Sequence, residues 1–151
     1  MKKYIIILCL LNFQFQKISA QKNKHDSITI SYLDKVSYYL DSLGVKEKEY
    51  VLSQAMWETG WFQCKDCAWS KGYNLFGFRS RKGYIKYKSY EESAIAYSKW
   101  QNKRYIPYKK THPSGSYLEF LTYYKYAEDG TYLKKINYMH NWLIKNYYKT
   151  K

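Results

Sequence analysis

Apolar residues recur along most of this chain at three- and four-residue intervals, and short polar breaks divide the pattern into helices. Tyr32, Val36, Tyr39, Leu40 and Leu43 predict a helix over Ser31–Leu43, stopped by Gly44. Val51, Leu52, Ala55 and Met56 share one face of a second helix, Lys46–Thr59, which Gly60 ends. The periodicity lapses over Trp61–Tyr73, which reads as an irregular loop. Over Phe78–Lys88 it changes to strand-favouring Tyr84, Ile85 and Tyr87 around an Arg81-Lys82-Gly83 turn, which predicts a small hairpin. Ser89 with Glu92, and Ser116 with Glu119, have the spacing of capping boxes. The first opens a helix to about Asn102 with Tyr90, Ala94, Tyr97 and Trp100 inward; the second opens one to about Tyr126. Ile106–Gly115, which holds both prolines, Pro107 and Pro113, reads as a loop between them. Tyr132, Ile136, Met139, Leu143 and Tyr147 set the face of a last helix, Tyr132–Tyr147. The fold class is α+β, predominantly helical, with one small hairpin.

The start of the chain changes the picture of where it works. Lys2-Lys3, an apolar run from Tyr4 to Leu11 and the small-residue end Ile18-Ser19-Ala20 read as a signal peptide over residues 1–20, cleaved after Ala20. The run is shorter than the roughly 20 apolar residues of a membrane span, and no later stretch could cross a bilayer. Residues 21–30 read as a flexible lead-in and residues 31–151 as one domain. The expectation is a secreted or periplasmic monomer. The net charge of +14 falls to +11 without Lys2, Lys3 and Lys17 of the leader. That balance suits a polyanionic partner, and outside the cell the wall ranks above nucleic acid.

Of the chemistry-bearing residues, Glu58 is the most informative. It stands between Trp57 and Trp61, borders the apolar face of the second helix and occupies its last turn, where the macrodipole is negative. Burial, aromatic neighbours and the dipole all disfavour the carboxylate, as a proton donor near neutral pH requires. A surface glutamate before a helix stop would show the same local pattern. Cys64 and Cys67 can close a small disulfide loop in an oxidising compartment, with a redox pair or free thiols as the alternatives. His25, His112 and His140 lack ligand spacing, so neither a metal nor another cofactor is expected. The 20 tyrosines offer flat faces with a polar edge, suited to sugar rings and to ordinary cores alike.

Several stretches in order resemble the bacterial β-N-acetylglucosaminidase family that cleaves peptidoglycan: Gln54-Ala55-Met56-Trp57-Glu58-Thr59-Gly60-Trp61, Asn74-Leu75-Phe76-Gly77, Tyr87 to Ser93, Lys103-Arg104-Tyr105, and Tyr126 to Tyr132. The likeness runs from about Ser31 to Ile144. It implies a lysozyme-like fold with a hairpin lobe, and hydrolysis of the bond after N-acetylglucosamine in glycan strands. It implies that Glu58 is the general acid and that Tyr126 lies near the bond cleaved. It also implies that Asn74, Phe76 and Gly77 line the cleft, Asn74 as a partner of the N-acetyl group and Phe76 as a wall. Trp57 and Trp61 become sugar platforms, and Tyr105 and Tyr132 further substrate contacts.

The chain departs from that family in one place that matters. Some members have a second glutamate in the hairpin, whereas Phe78–Lys88 contains no acid. Glu91 and Glu92 fall in a helix start, and Asp66 lies in the loop after Glu58. A mechanism assisted by the substrate's own acetamido group needs no second carboxylate. Arg79, Arg81, Lys82, Lys86 and Lys88 make the hairpin basic, for gripping anionic wall groups or for protecting a solvated edge. A lytic transglycosylase and an inactive glycan-binding module are the competing readings.

Overall fold

Val51, Leu52, Ser53, Gln54, Ala55 and Met56 are all buried, so the helix that carries them lies in the middle of the molecule. The computed structural model describes residues 27–127 and 129–149. The proposed signal peptide and most of the lead-in lie outside them. Residues 27–30 are already helical, so the lead-in is shorter than the sequence suggested.

Helix α1 covers 27–42, α2 Lys48–Glu58, α3 Ala68–Gly72, α4 Tyr90–Thr111, α5 Tyr117–Tyr123 and α6 Tyr132–Leu143. A π turn, Ile144–Tyr148, continues α6, and its buried Tyr147 donates to Asp34 Oδ1 of α1 at 2.8 Å. Strands β1 (Arg79–Ser80) and β2 (Gly83–Tyr84) pair antiparallel across a two-residue turn, with Arg79 opposite Tyr84. Helices α2 and α6 pack against each other, and Leu33, Val36 and Leu40 of α1 complete the core around them. Among the described residues no helix is long and apolar enough to cross a membrane.

Three expectations give way to tertiary packing. The stretch Trp61–Tyr73 contains α3, whose Trp69 is buried with its indole N–H on Cys64 O at 2.8 Å. Helix α4 does not stop near Asn102 but runs through Pro107 to Thr111. A proline inside a helix removes one backbone donor and costs about 3 kcal/mol. Here Tyr105 and Tyr108 on either side of it are buried, and that burial offsets the loss. The hairpin is also shorter in ladder than Phe78–Lys88 suggested, with two residues in each strand.

The capping signals are realised unequally. Ser116 and Glu119 form both halves of the box, Glu119 N on Ser116 Oγ at 3.2 Å and Ser116 N on Glu119 Oε2 at 2.6 Å. Ser89 Oγ accepts from Glu92 N, but the Glu92 carboxylate takes Lys88 N instead of Ser89 N. Replacing Ser116 with Ala should lower stability by about 1 kcal/mol in a denaturant titration, because the α5 N-terminus loses its side-chain acceptor.

Candidate active site

The end of α2 fixes Glu58. Gly60, at φ +55°, turns the chain so that Trp61 N reaches Met56 O at 2.8 Å and Gly60 N reaches Trp57 O at 3.1 Å. That paired closure is a Schellman turn, and only glycine enters it without strain. Thr59 reinforces it by donating its hydroxyl to Ala55 O at 2.7 Å and accepting Phe62 N at 2.9 Å. Glu58 is thus the last helical residue, held from behind and projecting from the helix end.

Two cavities meet at this side chain. One, of about 500 Å³, lies between α3 and the hairpin and is lined by Glu58, Asp66, Lys71, Gly77, Tyr84 and Lys86 among others. The second, of about 550 Å³, lies between the hairpin and the α5–α6 connection, with Trp57, Glu58, Phe76, Gly77, Tyr126 and Tyr132 in its wall. Glu58, Gly77 and Tyr84 belong to both, so the carboxyl group stands at the centre of one continuous cleft. Burial raises its pKa above the ordinary glutamate value, and a hydrogen bond from Tyr132 partly opposes the shift. Gly77 has φ +66° and leaves room for the carboxyl: a Cβ there would lie 2.9 Å from Glu58 Cδ.

The side chains singled out in the sequence divide into two groups. Trp57, Phe76, Gly77, Tyr126 and Tyr132 stand with Glu58. Tyr126 stacks on Tyr132 at 5.8 Å and donates its hydroxyl to Phe76 O at 2.8 Å, which ties the α5–α6 connection to the Asn74–Gly77 segment. Burial, then the neighbouring Tyr132 and Glu58, push its pKa well up, so it stays a neutral phenol. Trp57 has Lys135 Nζ 4.7 Å above its ring.

Asn74, Tyr105 and Trp61 are elsewhere. Asn74 is 1% exposed; its Nδ2 donates to Phe78 O at 2.8 Å and Ile85 O at 2.9 Å, and its Oδ1 accepts Phe78 N at 3.0 Å. Both its N–H groups are spent on the hairpin base, so it has no donor for a substrate acetamido group. Tyr105 is buried in the core, packed on Tyr117 and Phe120, and donates to Glu47 Oε1 at 2.8 Å at the start of α2. Trp61 is outside both cavity walls and packs edge-on against Trp142 at 4.8 Å. The sulfurs of Cys64 and Cys67 are bonded to each other, and the loop they close carries Asp66 to the rim of the first cavity.

Of three further lining residues, Lys86 belongs to the basic hairpin set, while Tyr84 and Asp129 have no sequence signal as contacts. Tyr84 is 55% exposed, with Arg79 stacked 4.8 Å over its ring. Lys86 reaches the first cavity from just beyond β2. Asp129 lies in the second, where donors from Lys135 and Thr131 lower its pKa to about 2. Among the described residues no group of three or more His, Cys, Asp or Glu side chains could hold a metal ion.

A helical body with one short hairpin, and a partly buried glutamate at the centre of a cleft between them, defines a lysozyme-like glycosidase domain. The chain belongs to the glucosaminidase family, described as mannosyl-glycoprotein endo-beta-N-acetylglucosaminidase, which it matches over residues 16–147. No curated protein and no solved structure matches it.

Proposed function

We propose that this protein is a secreted peptidoglycan hydrolase that cuts the glycosidic bond after N-acetylglucosamine, with Glu58 as the general acid. The observation that carries this reading is a carboxyl group with a raised pKa at the meeting point of two cavities, each large enough for sugar residues. Glu58 protonates the glycosidic oxygen as the bond to C1 breaks through an oxocarbenium-like state. Tyr126, whose own proton is held by Phe76 O, presents lone pairs to an acetamido N–H or a water. Tyr84 and Trp57 offer faces to the sugar rings. Lys71 and Lys86 supply positive charge to the first cavity, where stem-peptide carboxylates of the wall would lie.

The acids other than Glu58 fit poorly as a base. Asp129 accepts from Thr131 N, Thr131 Oγ1 and Lys135, and a carboxylate with a pKa of about 2 is a weak proton acceptor. Asp66 is exposed and paired with Lys71 at 3.1 Å. A substrate-assisted route is favoured for that reason: the 2-acetamido oxygen bonds to C1 as the leaving group departs with the Glu58 proton. Water then opens the ring so formed and returns a proton to Glu58. Mass spectrometry of digested, purified peptidoglycan tests the reading. Reducing N-acetylglucosamine ends are the expected product. Anhydro-muramyl ends would make the protein a lytic transglycosylase, and binding without any product would make it a wall-binding module.

A further inference from the structure

The fold leaves the cations of the hairpin region without acidic partners. Arg79, Arg81, Lys82, Lys86 and Lys88 are all exposed. Among the described residues the ion pairs are Lys48–Asp41, Lys71–Asp66 and Lys135–Asp129, and none involves the hairpin. Guarding a strand edge does not account for these charges, because strands of two residues leave little edge to guard. The acids of the cleft are in the opposite state. Lys71 covers Asp66 and Lys135 covers Asp129, while burial favours the neutral form of Glu58. A positive excess therefore borders the cleft.

Two of these cations are held in place at the cavity walls. The β1–β2 register sets Arg79 directly opposite Tyr84, and the guanidinium lies 4.8 Å over that ring. Stacking occupies the face of the guanidinium and leaves its N–H edge for a planar anion. Arg79 borders the second cavity, and Tyr84 borders both. Lys86, in the wall of the first cavity, is seated by a glycine. A Cβ on Gly72 would lie 2.8 Å from Lys86 Cγ and 3.3 Å from its Cα, so the missing side chain is what lets the lysine stem pass. Gly72 is not among the left-handed glycines, so it serves that approach and not a turn. Tyr87 N on Gly72 O at 2.9 Å pins the same crossing. Lys125 lines the second cavity as well, but among the described residues no ring or hydrogen bond holds its exposed side chain.

Glu58 belongs to both walls, so one seated cation stands on each side of it. A strand in which every second sugar carries an acidic side chain brings an anion to both sides of any bond. We propose that Arg79 and Lys86 are specificity-determining residues of this cleft, and that they select a glycan with carboxylates on both sides of Glu58 over a neutral polymer of N-acetylglucosamine. The cutting of that glycan rests on the hydrolase reading; the preference for charge does not.

The test measures binding by calorimetry to the whole protein carrying Glu58→Gln, so that strands stay intact. Three soluble ligands of equal sugar number are compared: uncrosslinked wall glycan with free stem-peptide carboxylates, the same glycan with those carboxylates converted to amides, and a neutral N-acetylglucosamine oligomer. At low salt the free acid should bind about tenfold more tightly than either neutral ligand, and the margin should shrink as salt rises. Arg79→Gln and Lys86→Gln should each cut that margin by about threefold, and the double variant by about tenfold. Lys82→Gln is the control. It removes the same charge at the turn, outside both cavity walls, and should keep the margin within about twofold. All three positions are exposed, so each variant should fold. An amidated glycan that binds as tightly as the free acid overturns the proposal. So does an equal loss of margin in Lys82→Gln, which would reduce the effect to overall charge. A wild-type protein that releases no product would sink the hydrolase reading, while the binding margins still decide the charge preference.

Discussion

Glu58→Gln should leave a folded protein whose turnover of peptidoglycan is lower by about 10³-fold, in the range that a positioned general acid supplies. The amide fills the same space beside Gly77, so the cleft keeps its shape. It has no proton to give to a departing oxygen. The same substitution should change stability in a pH-dependent way. The folded-state pKa of Glu58 is raised by burial above the ordinary glutamate value. Its proton therefore favours the folded state fully below the unfolded value, and that contribution is lost as pH rises through the folded one. Relative to wild type, the glutamine variant should gain in melting temperature as pH increases across that window. A variant that clears purified peptidoglycan at the wild-type rate would end the assignment of Glu58. A stability difference that does not change with pH would contradict the burial that raises its pKa.

Gly77→Ala should be the most damaging small change away from Glu58 itself. Two costs coincide there. The backbone is left-handed at φ +66°, which costs an L-residue about 1–2 kcal/mol. The new methyl would also lie 2.9 Å from Glu58 Cδ, closer than side-chain carbons approach, so the carboxyl must move. A displacement of the acid by even part of its own width should lower kcat by about 100-fold. Gly44→Ala is the matched control. Its φ is +62°, and nothing lies within 4 Å of the added carbon. Gly77→Ala should lose at least as much melting temperature as Gly44→Ala, and only Gly77→Ala should lose kcat. Equal kcat in the two would show that the glycine serves the turn and not the acid.

The end of α2 was readable because its signals are local: a glycine stop, an aromatic flank and an acid one residue inside the last turn. The Ser116 box was readable for the same reason. What the sequence concealed depends on contacts from far along the chain. Nothing near Pro107 announces that Tyr105 and Tyr108 will be buried and hold α4 together through it. Asn74 has the composition of a substrate ligand, yet its amide closes the base of a hairpin whose carbonyls come from Phe78 and Ile85. Family likeness points to Tyr105 and Trp61 as substrate contacts, but Tyr105 is buried in the core and Trp61 lies half-buried against Trp142. Gln54 did carry a signal. It is a polar residue flanked by Val51, Leu52, Ala55 and Met56 and set four positions before the acid, so it had to be buried and had to find partners. Its partners, Tyr97, Tyr117 and Tyr132, lie 43, 63 and 78 residues away.

The brevity of the hairpin has a consequence for how a polymer would be handled. With two-residue strands, the lobe that faces α2 is a low kerb and not a wall, and the depressions on its two sides join at Glu58. Among the described residues nothing in that layout closes either end of the cleft. Under the proposed hydrolase reading, a glycan strand would lie across the kerb with sugars on both sides of the acid, and cuts would fall within strands and not at their ends. The mean length of the wall polymer would then drop early, while small fragments accumulate late.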